Sequence, residues 1–248
     1  MNEVMRTGIN ILFPVLNERL RLQKGIDKTM EYMRENVSIP YCLTILDNGS
    51  EDETPQIGRE LARKYPEVSY VRVGERGVGV AFRKGIELNE SAIVGYMDID
   101  LSTDIKYLGR TIALFQERPE LAYVNGSRFA RESDTRGRKW YRKITSKGLV
   151  FLLKTVLKMK ATDAVCGFTF VRKETAERLV EVCGDENGWF YTIEFLLRAE
   201  RMGVEIYDMP VEWQEDYNTT VKLWKTIRNY LVQICRLYRE FRQEEKRG

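Results

Sequence analysis

The chain is 248 residues long with 43% hydrophobic and 31% charged residues, which sets it among ordinary globular proteins with room for one sizeable core. It has no histidine, so imidazole acid–base chemistry, Ser-His triads and histidine-ligated metals are excluded. No stretch of about 18 apolar residues and no leader pattern occurs, and Cys42, Cys166, Cys183 and Cys235 are scattered; this predicts a cytoplasmic protein with reduced thiols that does not cross a membrane. The net charge of +3 is unevenly placed: 136–160 carries nine basic residues and no acid, 219–248 carries eight against three, and the remainder stands at −11. A basic C-terminal half on an acidic body suits an anionic partner, whether phosphate, lipid or nucleic acid.

In chain order, "INILFPVL" at 9–16 predicts a strand and 19–35 a helix. Strands follow at "YCLTILD" (41–47), "VSYVRV" (68–73) and "AIVGYMD" (92–98), separated by helices at 54–65 and 79–89. Short apolar strands alternating with helices of this length predict βαβ units, hence an α/β fold with a mainly parallel sheet flanked by helices on both faces. Ligands of such sheets gather at the carboxyl ends of the strands, which puts 14–18, 47–50 and 98–102 along one rim. After Ser127 the alternation stops. The pattern then predicts a basic helix over 139–159, a short strand at 167–171, helices at 173–182 and 190–202, a strand at 204–213 and a long terminal helix. No repeat or low-complexity linker interrupts it, so a single domain over 1–248 is expected.

The strand at 92–98 runs into Asp98 and Asp100. Carboxylates two apart on an extended chain point to opposite faces, but where the chain turns both can reach one cation. Hard carboxylate oxygens suit Mg2+ or Mn2+, completed by water and substrate phosphates. Asp104 reads as the cap of a helix starting at Ile105. "RGVGVAFRKG" puts Gly77, Gly79 and Gly85 with Arg83 at a helix start, where amides and a guanidinium favour a diphosphate; the same glycines also suit a turn and tight packing.

The ordered blocks "FPVLNE" (13–18), "LDNGSEDET" (46–54), "RGVGVAFRKG" (76–85), "YMDIDLS" (96–102), "NGSR" (125–128), "DAVCGFTFV" (163–171) and "IEFLL" (193–197) resemble the family 2 glycosyltransferases with the GT-A (Rossmann-like) fold. The nearest likeness is to the branch of dolichyl-phosphate mannose synthases and dolichyl-phosphate glucosyltransferases. The resemblance implies a nucleotide-sugar half (1–127) and an acceptor half (128–248) ending in amphipathic helices. It further implies that Pro14, Asn17, Glu18, Asp47 and Asp98 contact the donor, with Gly77, Gly79 and Arg83 near its diphosphate. Asp98, Asp100 and Ser102 would lie at the metal. Arg128, Arg131, Arg138 and Arg142 would hold acceptor or donor phosphates, and Asp100, Arg128 and Glu194 are the catalytic candidates. The chain departs from the pattern at Asn48, where a second aspartate is frequent, at Val78, where a lysine often sits, and at Thr192, where many relatives carry an aspartate.

Over 136–160, Lys143, Lys147, Lys154 and Lys158 fall on one helical stripe about 60° wide, and the other directions are almost wholly apolar. Such a helix can rest part of its surface in a membrane interface, its lysines at lipid phosphates. The terminal stretch repeats the pattern with Val221, Trp224, Ile227, Leu231, Ile234, Tyr238 and Phe241 among cations. Taken with these helices, the resemblance implies an inverting, metal-dependent hexosyltransferase that acts from UDP-glucose or GDP-mannose on a polyprenyl phosphate, peripheral to the cytosolic membrane face and without a nucleic-acid partner. Two alternatives stay open: the same fold with a sugar-hydroxyl or protein acceptor, and a non-catalytic anion-binding protein.

Overall fold

The computed structural model describes residues 7–135, 137, 140–214 and 223–247, without the side chains of 141 and 223–225. Arg138 and Val221 therefore lie outside the described residues, as does the side chain of Trp224. All six expected strands are found: β1 (Ile9–Val15), β2 (Tyr41–Asp47), β3 (Val68–Arg72), β4 (Ile93–Met97), β6 (Phe168–Arg172) and β7 (Ile206–Pro210), the last within the 204–213 segment. β5 (Tyr123–Ser127) is an additional strand. The helices are α1 (Leu22–Asn36), α2 (Thr54–Lys64), α3 (Val78–Glu87), α4 (Tyr107–Glu117), α5 (Trp140–Val156), α6 (Lys173–Val182), α7 (Phe190–Arg201) and α8 (Leu223–Arg247).

The sheet runs β3-β2-β1-β4-β6-β5-β7. It is parallel except for β6, which inserts antiparallel between β4 and β5. Alternation decides the layers. Along β1, Ile9, Ile11, Phe13 and Val15 join a core with the apolar stripes of α1 and α4, and Leu12 faces the opposite core under α3 and α7. α1 shows why its residues form a helix against the sheet: Leu22, Ile26, Met30 and Met33 recur at helical spacing and are all buried. α5 and α8 add Val150, Leu153, Ile234, Leu237 and Phe241 to the second core from outside. Among the described residues no helix is long and apolar enough to cross a membrane.

Candidate active site at the carboxyl rim

β1, β2 and β4 all end on one rim, and the chain there is tied by short polar contacts. Asn17 takes a left-handed backbone (φ 56°), its amide donating to Ser50 Oγ at 2.9 Å while its Oδ1 accepts from the Glu51 amide at 2.8 Å. The Glu18 amide donates to Thr54 Oγ1 at 2.8 Å, and its carboxylate pairs with Arg21 at 2.9 Å. Pro14 lies just before, paired with Leu46 of β2. Asp47 is fully buried: its Oδ1 accepts the Ser50 amide at 2.7 Å and its Oδ2 the Tyr70 hydroxyl at 2.5 Å. It thus shapes the turn beneath the rim. Its neighbour Asn48 is also buried, and its Oδ1 has no hydrogen-bond partner among the described residues. An orphaned acceptor at a ligand rim suits an N–H donor such as a nucleobase edge; in sequence, Asn48 is visible only as a departure from the family pattern.

Gly77, Gly79 and Arg83 do something different from the expected diphosphate cradle. They seat the loop before α7 on the start of α3. Gly77 has φ 145°, and a Cβ on it would collide with the Asn187 carbonyl; the Gly79 amide donates to that carbonyl at 2.9 Å. Arg83 donates to the Glu186 carbonyl at 2.9 Å and to Asn187 Oδ1 at 2.8 Å, and lies 4.8 Å from the centre of the Tyr191 ring. These groups join the donor-side half to α7.

At the end of β4 the backbone turns as the Asp-x-Asp chemistry requires. The Leu101 amide donates to the Asp98 carbonyl at 3.1 Å, Leu101 itself sits at φ 55°, and the Ser102 amide donates to Asp100 Oδ1 at 2.9 Å. Asp100 is exposed and Asp98 half-buried. Asp98 is nonetheless packed densely enough that desolvation raises its pKa to about 7, with Asp100 adding to the rise, Arg128 opposing it and Glu18 reinforcing it. Such a carboxylate gains from a neighbouring cation. Gly167 makes room for it, since a Cβ at that position would overlap the Asp98 carboxylate. Among the described residues no group of three or more acidic or thiol side chains gathers as a metal site. Two carboxylates beside a turn therefore fit a divalent ion that takes its other ligands from a diphosphate and water.

Arg128 follows β5 and is 8% exposed. Its Nε and Nη2 donate to the buried Asp163 at 2.7 and 3.0 Å, and the guanidinium lies 5.5 Å from the Trp213 ring centre. Burial works against its charge and Asp163 outweighs burial, so its pKa is raised. Arg131 is exposed and Arg142 half-buried on α5. Arg128 is thus held rigidly near Asp98, a placement that required a partner 35 residues away.

The expectation for Glu194 is corrected. The residue is fully buried, accepting from the Gly184 amide at 2.9 Å and from Arg236 of α8, with Arg198 Nε at 3.6 Å. A carboxylate sealed between two arginines and a helix cannot reach a substrate at the rim. It anchors α8 to α7. What faces the site from α7 is Thr192, which lines a cavity of about 200 Å3 together with Tyr96, Asp98, Val165, Gly167, Trp189, Thr226 and Tyr230. Sequence reasoning missed Trp189, Thr226 and Tyr230. On the other side of the aspartates a groove of about 800 Å3 is lined by Asn17, Glu18, Lys24, Lys28 and Asp100.

The model of the family described as "Glycosyl transferase family 2" matches residues 10–180. Among curated proteins the chain is 28% identical over 234 residues to glycosyltransferase AglD of Haloferax volcanii, covering 93% of this chain and 37% of AglD. It is 26% identical to the dolichyl-phosphate beta-glucosyltransferases of Dictyostelium discoideum and Mus musculus, covering 86% and 84% of this chain and 68% and 67% of theirs. The chain therefore spans well under half of AglD and about two thirds of the other two. A similar solved structure is glucosyl-3-phosphoglycerate synthase from Mycobacterium tuberculosis in complex with Mn2+, UDP and glucosyl-3-phosphoglycerate; its TM-score is 0.69 at 16% identity, covering 93% of this chain and 80% of that one. That likeness extends to the fold, which is of the GT-A type. With the rim aspartates, the strand order and a family match over most of the chain in agreement, the chain belongs to glycosyl transferase family 2.

Proposed function

We propose that this chain transfers a hexose, with inversion, from a nucleotide sugar (UDP-glucose or GDP-mannose) to a polyprenyl phosphate, working with Mg2+ or Mn2+ as a peripheral protein at the cytosolic membrane face. One observation carries the choice of acceptor: the cavity beside Asp98 presents Thr192, and the nearby Glu194 is sealed away by Arg236 and Arg198. A sugar hydroxyl or protein side chain needs a base to remove its proton. A phosphate monoester does not, because its second pKa of about 6 leaves it anionic at neutral pH. The names of the dolichyl-phosphate relatives point the same way.

In this reading Asn17, Glu18 and Asn48 line the donor rim and Asp47 holds the turn beneath them. Asp98 and Asp100, with the backbone turn at Ser102, would hold the divalent ion, which neutralises charge on the departing diphosphate when bound. Arg128, fixed by Asp163, offers fixed positive charge at the site, and Arg131 and Arg142 are further candidates for the acceptor phosphate. The aromatic rings of Tyr96, Trp189 and Tyr230 line the cavity around Thr192.

The test is nucleoside diphosphate release from UDP- and GDP-hexoses with Mg2+ or Mn2+, with and without a short polyprenyl phosphate. Release that depends on the prenyl phosphate and is lost in Asp100→Ala supports the reading and identifies the donor. Turnover indifferent to the prenyl phosphate removes the acceptor.

A further inference from the structure

α5 and α8 each bury one side in the core and leave another apolar side in solvent. On α5, Val150 and Leu153 face inward, whereas Trp140, Ile144 and Phe151 are 74%, 60% and 70% exposed. At about 100° per residue those three lie within about 40° of one another, with exposed Lys143, Lys147 and Lys154 along the adjoining arc. On α8, Ile234, Leu237 and Phe241 are buried while Leu231, Val232 and Tyr238 are exposed among Arg228, Arg239 and Arg242. Lys158 leaves the α5 stripe that the sequence suggested, because the helix stops at Val156 and Lys158 turns to φ 60°.

The two outer faces converge on a groove of about 450 Å3 between the end of α5 and the last turns of α8. Val156, Leu157 and Phe241 are its apolar lining; Lys158 and Arg242 bring two cations to it, while Arg201 is paired with Glu245 at 3.2 Å. Phosphate contacts to a nucleic-acid duplex reward charge alone, and the aliphatic Ile144, Leu231 and Val232 left in water beside the cations offer no ring for a base to stack on. A helix face that is merely solvated has no use for three exposed apolar groups in one stripe. An anionic bilayer takes both: apolar side chains enter the headgroup boundary and lysines meet lipid phosphates.

We propose that the outer faces of α5 and α8 form one docking surface for an anionic phospholipid bilayer, with the groove between their ends receiving a lipid phosphate headgroup. It deepens, and in its use by catalysis rests on, the polyprenyl-phosphate reading. α8 lines the cavity beside Asp98 through Thr226 and Tyr230, so an acceptor lying in that bilayer meets the site along the helix that touches the lipid.

The experiment is co-sedimentation of the full chain with phosphatidylglycerol and with phosphatidylcholine vesicles, paired with turnover of a soluble short-chain prenyl phosphate without vesicles. The chain is expected to partition onto phosphatidylglycerol, far less onto phosphatidylcholine, and to be released by salt. Lys143→Glu, Lys147→Glu and Lys154→Glu together lower that partition on the order of 100-fold. Ile144→Ser with Phe151→Ser lowers it at constant charge, and Arg242→Glu tests the groove; soluble turnover stays unchanged in all three. A triple variant that binds like the wild type, equal partition onto both lipids, tighter binding to single-stranded nucleic acid than to vesicles, or a dimer that dissociates in the serine variant would each overturn the surface. A wild type that sediments with phosphatidylglycerol but glycosylates no prenyl phosphate leaves the docking surface standing and removes the acceptor reading alone.

Discussion

Glu194→Gln separates an anchor from a base. The substitution keeps the shape and lets the side-chain carbonyl accept from the Gly184 amide, but it turns an amide N–H₂ toward Arg236 or Arg198 and removes the charge that both arginines face. Breaking a buried pair by neutralising one partner destabilises by about 3–5 kcal/mol. Here Arg198 keeps Glu240 at 2.6 Å, and Arg236 keeps Glu240 at 2.9 Å, so the effect belongs at the lower end, about 3 kcal/mol. For a chain of this size that is a fall of roughly 6–12 °C in the unfolding midpoint. The assay is thermal or urea unfolding followed by kcat per folded molecule well below the midpoint. An anchor gives lowered stability and nearly unchanged kcat. A kcat lowered by about 10²–10⁴ with unchanged stability is the signature of general-base catalysis, and it would refute the assignment of Glu194 to α8 packing.

Gly167→Ala makes the complementary prediction at the aspartates. Its Cβ would overlap Asp98 Oδ2 and Cγ and lie 2.5 Å from Oδ1, so the carboxylate must shift by about 1 Å; turnover falls about 100-fold while stability changes by no more than about 1–3 kcal/mol. Activity within threefold of the wild type would mean that the orientation of Asp98 is immaterial. The raised pKa of Asp98 also has a sign. The folded chain holds that proton more tightly than the unfolded one, so the contribution of Asp98 to stability is fully present below pH 4 and is lost as pH rises through about 7. In EDTA the melting temperature of wild type should therefore drop more steeply over that window than that of Asp98→Asn, and saturating Mn2+ should flatten the difference; parallel profiles would remove the effect.

The first four strands were legible because each is a short apolar run followed by a helix and a turn, and their parallel pairing follows from that repetition, although β4 joins the sheet beside β1 and not beside β3. β5 was not, and its residues explain why: "YVNGS" reads as a turn from its Asn-Gly-Ser, yet all five residues are buried because β6 and β7 cover both edges of the strand. The antiparallel insertion of β6 between β4 and β5 is a pairing over long sequence distances, on which local propensity is silent.

The site divides in the same way. Asp98, Asp100 and the rim residues after β1 and β2 were legible because strand ends fix their position regardless of what packs later. The setting of Arg128 and the role of Glu194 were not legible, because each is decided by a distant partner, Asp163 in one case and Arg236 in the other. For Glu194 a signal was nonetheless present. Residues 190–197 are apolar on every side of the helix except for Thr192 and Glu194, and the structure buries all eight. A helix apolar all round must be enclosed, and an enclosed carboxylate must find a cation. The basic stripe of the terminal helix was the available source. The same requirement explains why α8 has two characters: its acid- and arginine-rich inner side is consumed in ion pairs with α7, so only its outer cations, with Leu231, Val232 and Tyr238, are left to meet an anionic surface.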